Sequence, residues 1–102
     1  MKIQEITISE VQILPVRPRD GLVAFACCLL NSQISLNNIA VHVRPDGMDI
    51  RLVFPQTILP NGKKVNTFYP ITKDAGEKIR HAIQEKYEEL VSKMTEGNKH
   101  NR

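Results

Sequence analysis

Val53-Phe54-Pro55, a largely polar loop carrying Pro60-Asn61-Gly62, and Thr67-Phe68-Tyr69-Pro70-Ile71 lead into the one long helical pattern of this 102-residue chain. Proline cannot donate to a strand ladder and holds the residue before it extended, so each proline-bounded apolar run reads as a strand end. Between them, Pro-Asn-Gly is turn chemistry. The stretch therefore predicts strand, turn, strand and then helix.

Upstream, Ile6 to Val16 is dense in β-branched and aliphatic residues, with a parity change between Ile6/Ile8 and Val11/Ile13. That change predicts a bulge or bend inside the first strand. Pro18-Arg19-Asp20-Gly21 is a turn in which proline sets φ and glycine accepts a positive one. Leu22 to Leu30 is apolar at nearly every position, the pattern of a central strand buried on both faces. Asn31-Ser32 turns the chain into a strand from Ile34 to Val43, and Pro45-Asp46-Gly47 makes a third turn. Met48, Ile50, Leu52 and Phe54 alternate with Asp49 and Arg51, and a last short strand is expected from Val65 to Tyr69.

Downstream, Thr72 reads as an N-cap with Asp74 in the first turn. Ala75, Ile79, Ala82, Ile83, Tyr87, Leu90, Val91 and Met94 form one apolar stripe at helical spacing. Gly76 costs about 1 kcal/mol there relative to alanine. Thr95 to Arg102 is polar and reads as a disordered tail. The expected architecture is α+β: an antiparallel β-meander of about five strands with one C-terminal amphipathic helix. Residues 1–94 form a single domain and 95–102 the tail. One helix covers one face of the sheet, whereas Leu22 to Leu30 needs cover on two. At about 25 cal/mol per Å² of apolar surface, leaving several such side chains wet costs as much as a small domain's whole stability, so a homodimer is expected.

Fourteen Lys and Arg against eleven Asp and Glu give a net charge of +3. A mildly basic balance is compatible with a polyanionic partner without requiring one. Cys27 and Cys28 are adjacent and point to opposite faces of a strand, which disfavours a disulfide. With no leader or long apolar segment in view, a reduced, cytoplasmic protein without a membrane partner is expected. Enzyme signatures are absent: His42, His81 and His100 lack metal-ligand spacing, and the glycines form no phosphate loop. We expect no enzymatic activity, cofactor, metal or small-molecule substrate.

The arginines are better placed. In a meander, the turns after the first and third strands share one end of the sheet, so Arg17, Arg19 and Arg44 converge there with Arg51 close by. Such a cluster would contact a phosphate backbone. Solvated loop arginines are the alternative. Lys63 and Lys64 follow the Pro60-Asn61-Gly62 turn at the opposite end, where Lys73, Lys78 and Arg80 extend a second basic patch. Glu77, Glu85, Glu88 and Glu89 interleave with that patch, as on a solvated helix face. Phe68 and Tyr69 are candidates for base stacking or for core and interface packing.

The Val53–Ile71 order, with Leu36-Asn37-Asn38-Ile39-Ala40-Val41 before it and Lys78-Ile79 and Glu88-Glu89-Leu90 after it, resembles the SpoVG family of small bacterial septation and sporulation regulators. The resemblance covers roughly Ile8 to Leu90. It implies a homodimeric β-meander with a C-terminal helix that binds DNA and, in some members, RNA. Typical members carry a serine and then a basic pair after the proline at position 55, where this chain has Gln56-Thr57-Ile58. They also tend to have arginine near the helix start, where Gly76 stands here. The expected function is a non-enzymatic nucleic-acid-binding regulator of septation- and sporulation-type gene control. The alternative is a protein-interaction module of the division machinery that does not touch nucleic acid.

Overall fold

A computed structural model describes residues 5–45 and 49–100, with side chains through Met94. Four strands, β1 (Ile8–Arg19), β2 (Leu22–Leu30), β3 (Ile34–Val43) and β4 (Ile50–Val53), form one antiparallel sheet in the order β1-β2-β3-β4. β5 (Gln56–Ile58) and β6 (Lys64–Asn66) form a separate two-stranded sheet, and α1 (Lys73–His100) follows.

The first two turns are built from the residues that tolerate a left-handed backbone. Asp20 and Gly21 have φ of 52° and 89°, and Asn31 and Ser32 have 52° and 57°. Positive φ at both central residues matches the right-handed twist of the flanking strands in a tight hairpin. The expected irregularity of the first strand is a bulge at Glu10, with φ of 50° and a register shift between the Ser9 and Gln12 pairs. β1 also runs through Pro15 and Pro18, which its position at the sheet edge permits. The expected turn at Asp46-Gly47, and Met48 after it, lie outside the described residues. So do the side chains of the expected 95–102 tail, although α1 itself continues to His100.

The fifth strand corrects our expectation. It does not extend the meander, and the strand runs over Lys64–Asn66 rather than Val65 to Tyr69. Its partner is Gln56–Ile58, the beginning of the segment read as loop. Pro55 ends the main sheet, and the chain then folds on itself. Gly62 N–H donates to Leu59 O (2.8 Å) and Leu59 N–H to Lys63 O (2.8 Å), with Gly62 at φ 87°. Proline at the second position and glycine at the fourth suit this turn. Thr67 N–H donating to Pro55 O (2.9 Å) and the Thr57–Thr67 hydroxyl pair (2.6 Å) close the base of the hairpin.

Register decides which side chains the helix covers. Ile13, Ala26 and Ile39 stand side by side across β1 to β3, and Ala24, Val41 and Leu52 form a second such row across β2 to β4. Ala24, Ala26, Cys28, Ile39 and Val41 are almost wholly buried together with Ile79 and Ile83 of α1. The next row, Leu14–Phe25–Ala40–Val53, crosses all four strands and points the other way, since successive strand residues alternate faces. On that side Leu14 is 58% and Val53 39% exposed, with Phe25 and Ala40 half-buried. β2 is central, as its composition predicts, but a single chain buries only one of its faces because it carries only one helix.

Candidate nucleic-acid interface

α1 begins where Thr72 Oγ1 accepts a hydrogen bond from Ala75 N–H (3.1 Å). This is the expected cap, and it satisfies a donor that the first helical turn leaves without a partner. Ile79 and Ile83 then press on the sheet, which turns the i, i+4 row Gly76–Arg80–Gln84 toward β4. Gln84 Nε2 reaches Asp49 Oδ1 at 3.5 Å, tying helix and β4 approach together. Arg80 is held by Gln84 Oε1 (2.6 Å) and Glu77 Oε1 (3.3 Å), so its guanidinium is oriented rather than free to wander.

Between this row and β4 lies a hollow of about 370 Å³ lined by Arg44, Arg80, Phe54, Tyr69 and β4 itself, with Arg51 at its rim because strand alternation places that side chain on the Val53 face. Arg51 pairs across from His42 on β3, and Arg44 follows directly after that strand, its N–H donating to Asp49 O (3.3 Å). The same two arginines also border a second hollow of about 390 Å³ with Asp20, Gly21 and His42. Val43 N–H donating to Gly21 O (2.8 Å) holds the β1–β2 turn against the end of β3 there. Neither Arg44 nor Arg51 has an ion-pair partner among the described residues, whereas Lys78, Arg80, Lys86 and Lys93 each have one.

The remaining candidates lie outside both hollows, although Arg19, beside the β1–β2 turn, shares one end of the sheet with Arg44. Arg17 and Arg19 lie at the end of β1, exposed, and line neither hollow. Lys63 and Lys64 sit exposed on the β5–β6 hairpin. Lys73 opens the helix, and Lys78 is turned toward the start of β1, contacting Asp74 Oδ2 (3.5 Å) and Ile6 O (3.5 Å). The side of α1 toward β1 is otherwise mixed in charge, with Glu85, Glu89 and Lys86, the last paired to Glu89 (3.3 Å), bordering a hollow beside Glu10. The second basic patch is thus divided between hairpin and helix, and Arg80 belongs with Arg44 and Arg51 instead.

The aromatic pair also divides. Phe68 packs against the core, while Tyr69 is 58% exposed. Phe54 meets both rings edge to face, Phe68 at 5.9 Å and Tyr69 at 5.5 Å between centroids. What the linear sequence does not reveal is that Tyr69 stands in the arginine hollow. The helical row that includes Arg80 is visible in the periodicity, but nothing in it says which neighbouring strand it faces. Cys28 is 1% exposed, and burial pushes its thiol pKa up, with the neighbouring Cys27 adding to the shift. Cys27 faces the other way and its thiol reaches Gln12 Oε1 at 3.8 Å.

A four-stranded meander backed by a single helix, with cations gathered at the β4 edge, defines a small single-helix α+β domain. Residues 1–89 match the family model described as SpoVG. A Treponema denticola protein named "Putative septation protein SpoVG" is 35% identical over 81 residues, which covers 79% of this chain and 85% of that protein. The chain belongs to the SpoVG family.

Proposed function

We propose that this protein is a non-enzymatic regulator that binds nucleic acid as a homodimer, in septation- and sporulation-type control in the cytoplasm. Family membership and the name of the Treponema denticola relative support the septation-associated role. The observation that carries nucleic-acid binding is the pair of exposed arginines, Arg44 and Arg51, without an ion-pair partner among the described residues and beside the oriented Arg80. Exposed guanidinium groups beside a strand edge suit phosphate, to which they hydrogen-bond bidentately. Affinity then comes from the backbone, with modest sequence preference. No helix among the described residues is long and apolar enough to cross a membrane.

The homodimer reading rests on the Leu14–Phe25–Ala40–Val53 row, which a second copy would cover on the face that α1 leaves open. The same row supports the competing reading, in which the open face takes a protein of the division machinery and no nucleic acid is bound. A salt titration with labelled oligonucleotides separates them. The logarithm of affinity falls linearly with that of salt concentration, and Arg44→Gln with Arg51→Gln lowers the slope by about 0.9 for each duplex phosphate that is no longer neutralised. Lys63→Gln with Lys64→Gln changes it less. Salt-independent or undetectable binding overturns the nucleic-acid reading in favour of the protein partner.

A further inference from the structure

We propose that the cleft between β4, Tyr69 and α1 binds one unpaired nucleotide of a single-stranded nucleic acid, its base stacked on Tyr69 and its flanking phosphates held by Arg44 and Arg51. This deepens the nucleic-acid reading above and rests on it. Three observations converge on an unpaired base rather than on a duplex groove. The space is an open depression of about 370 Å³, wide enough to seat one base against its wall but not to enclose a larger ligand. A base within a duplex is stacked and paired, so it would have to be extruded before it could enter such a cleft.

The second observation is the exposed ring. Tyr69 is 58% exposed, and it packs edge to face on Phe54 at 5.5 Å and 74° between planes, which leaves its other face open. A large apolar ring left open beside three arginines adds little to stability, but it is a ready platform for a base, because every base has a π-face. The third is charge. Arg44, Arg51 and Arg80 stand against one lining carboxylate, Asp49, and that carboxylate is engaged by Gln84 Nε2 at 3.5 Å. Glu77 offsets Arg80, which leaves Arg44 and, at the rim on the Val53 side of the β4 edge, Arg51 as the phosphate-binding pair and Arg80 as an oriented neighbour. The same binding chemistry fits RNA and single-stranded DNA, which share the phosphate and the base plane.

The protein supplies its own reporter. It has no tryptophan and two tyrosines, Tyr69 and Tyr87, so Tyr87→Phe leaves Tyr69 as the sole strong emitter. Full-length protein is titrated with a mixed-sequence single-stranded RNA, the matching single-stranded DNA, and the matching DNA duplex. Single strands should quench Tyr69 emission, and the duplex should not. Tyr69→Ala should weaken single-strand binding by roughly 5- to 150-fold, the range for removing one base stack, and Tyr69→Phe should restore it. A Tyr69 dependence with only one sugar still supports the cleft and identifies the ligand as RNA or DNA. Unquenched Tyr69 with unchanged single-strand affinity in Tyr69→Ala overturns the stacking site. If Arg44→Gln with Arg51→Gln then still weakens binding, the broader phosphate-binding reading stands alone. If no oligonucleotide binds the wild-type protein, both fall. A Tyr69 dependence confined to the duplex also overturns the proposal. Circular dichroism of each variant confirms that the helix and sheet are intact.

Discussion

Replacing Gly76 by alanine should stabilise the protein while narrowing the arginine cleft. Gly76 is in the first turn of α1, and its N–H already donates to Thr72 O at 3.1 Å, so its backbone is helical and carries no positive φ. Glycine in a helix interior costs about 1 kcal/mol relative to alanine, most of it entropy that alanine does not lose. A Cβ built at this position would meet Pro70 Cγ at 3.8 Å and Pro70 Cβ at 3.9 Å, ordinary van der Waals contact with no clash. Position in the first turn reduces the propensity gain, and partial burial of a methyl against Pro70 restores some of it. The net expectation is a gain of about 0.5 to 1 kcal/mol. For a domain of this size each kcal/mol raises Tm by about 4 to 8 °C. Thermal melts followed at 222 nm, run at matched protein concentrations because an oligomer's Tm depends on concentration, measure it. Because Gly76 also lines the cleft with Arg44 and Arg51, the variant should bind single-stranded oligonucleotides less well than wild type. A Tm that falls or does not move refutes the reasoning, since it would mean that Pro70 and the helix start cannot accept a methyl that the geometry admits.

Two further outcomes follow from burial and from the open face. Cys28 is buried and its folded pKa is raised, so its thiol stays protonated in the native state while the unfolded chain ionises near pH 8.5. Its contribution is therefore complete below that pH and is lost as pH rises toward the folded value; chemical denaturation between pH 7 and 10 should show falling stability, with a shallower fall in Cys28→Ala. Leu14→Glu combined with Val53→Glu places charges at both ends of the exposed row without touching the core beneath α1. Sedimentation at micromolar concentration should change from dimer to monomer with the circular dichroism unchanged; a variant that sediments as the wild type does removes this face from the interface.

The legible parts of the fold were those fixed by local chemistry. Asp20-Gly21 and Asn31-Ser32 are residues that tolerate positive φ, and the hairpins form where they stand. The parity change around Glu10 announced a bulge because a strand cannot keep one face buried across an extra residue without one. Thr72 was readable as the cap because a hydroxyl three residues before the start of a helical stripe has an unsatisfied N–H within reach. The β5–β6 hairpin was not readable. Gln56–Ile58 is short and polar, and its partner was itself expected to pair elsewhere. Of the candidate cations, Arg44 and Arg51 come together because antiparallel pairing brings the end of β3 beside β4. Lys78, read as part of a basic patch, is instead drawn to Asp74 and the Ile6 carbonyl.

Hydrophobic period, turn residues and capping chemistry act over a few positions, so the chain alone determined the strands of the meander, the single helix and the family to which it belongs. Which cations and which aromatic ring share a cleft depends on the rotation of α1 over the sheet and on where the chain leaves β4 after Pro55. Those are set by packing Ile79 and Ile83 against Ile39 and Val41, contacts between residues some forty positions apart. Arg44, Arg80 and Tyr69 are neighbours only because that core closes in one way.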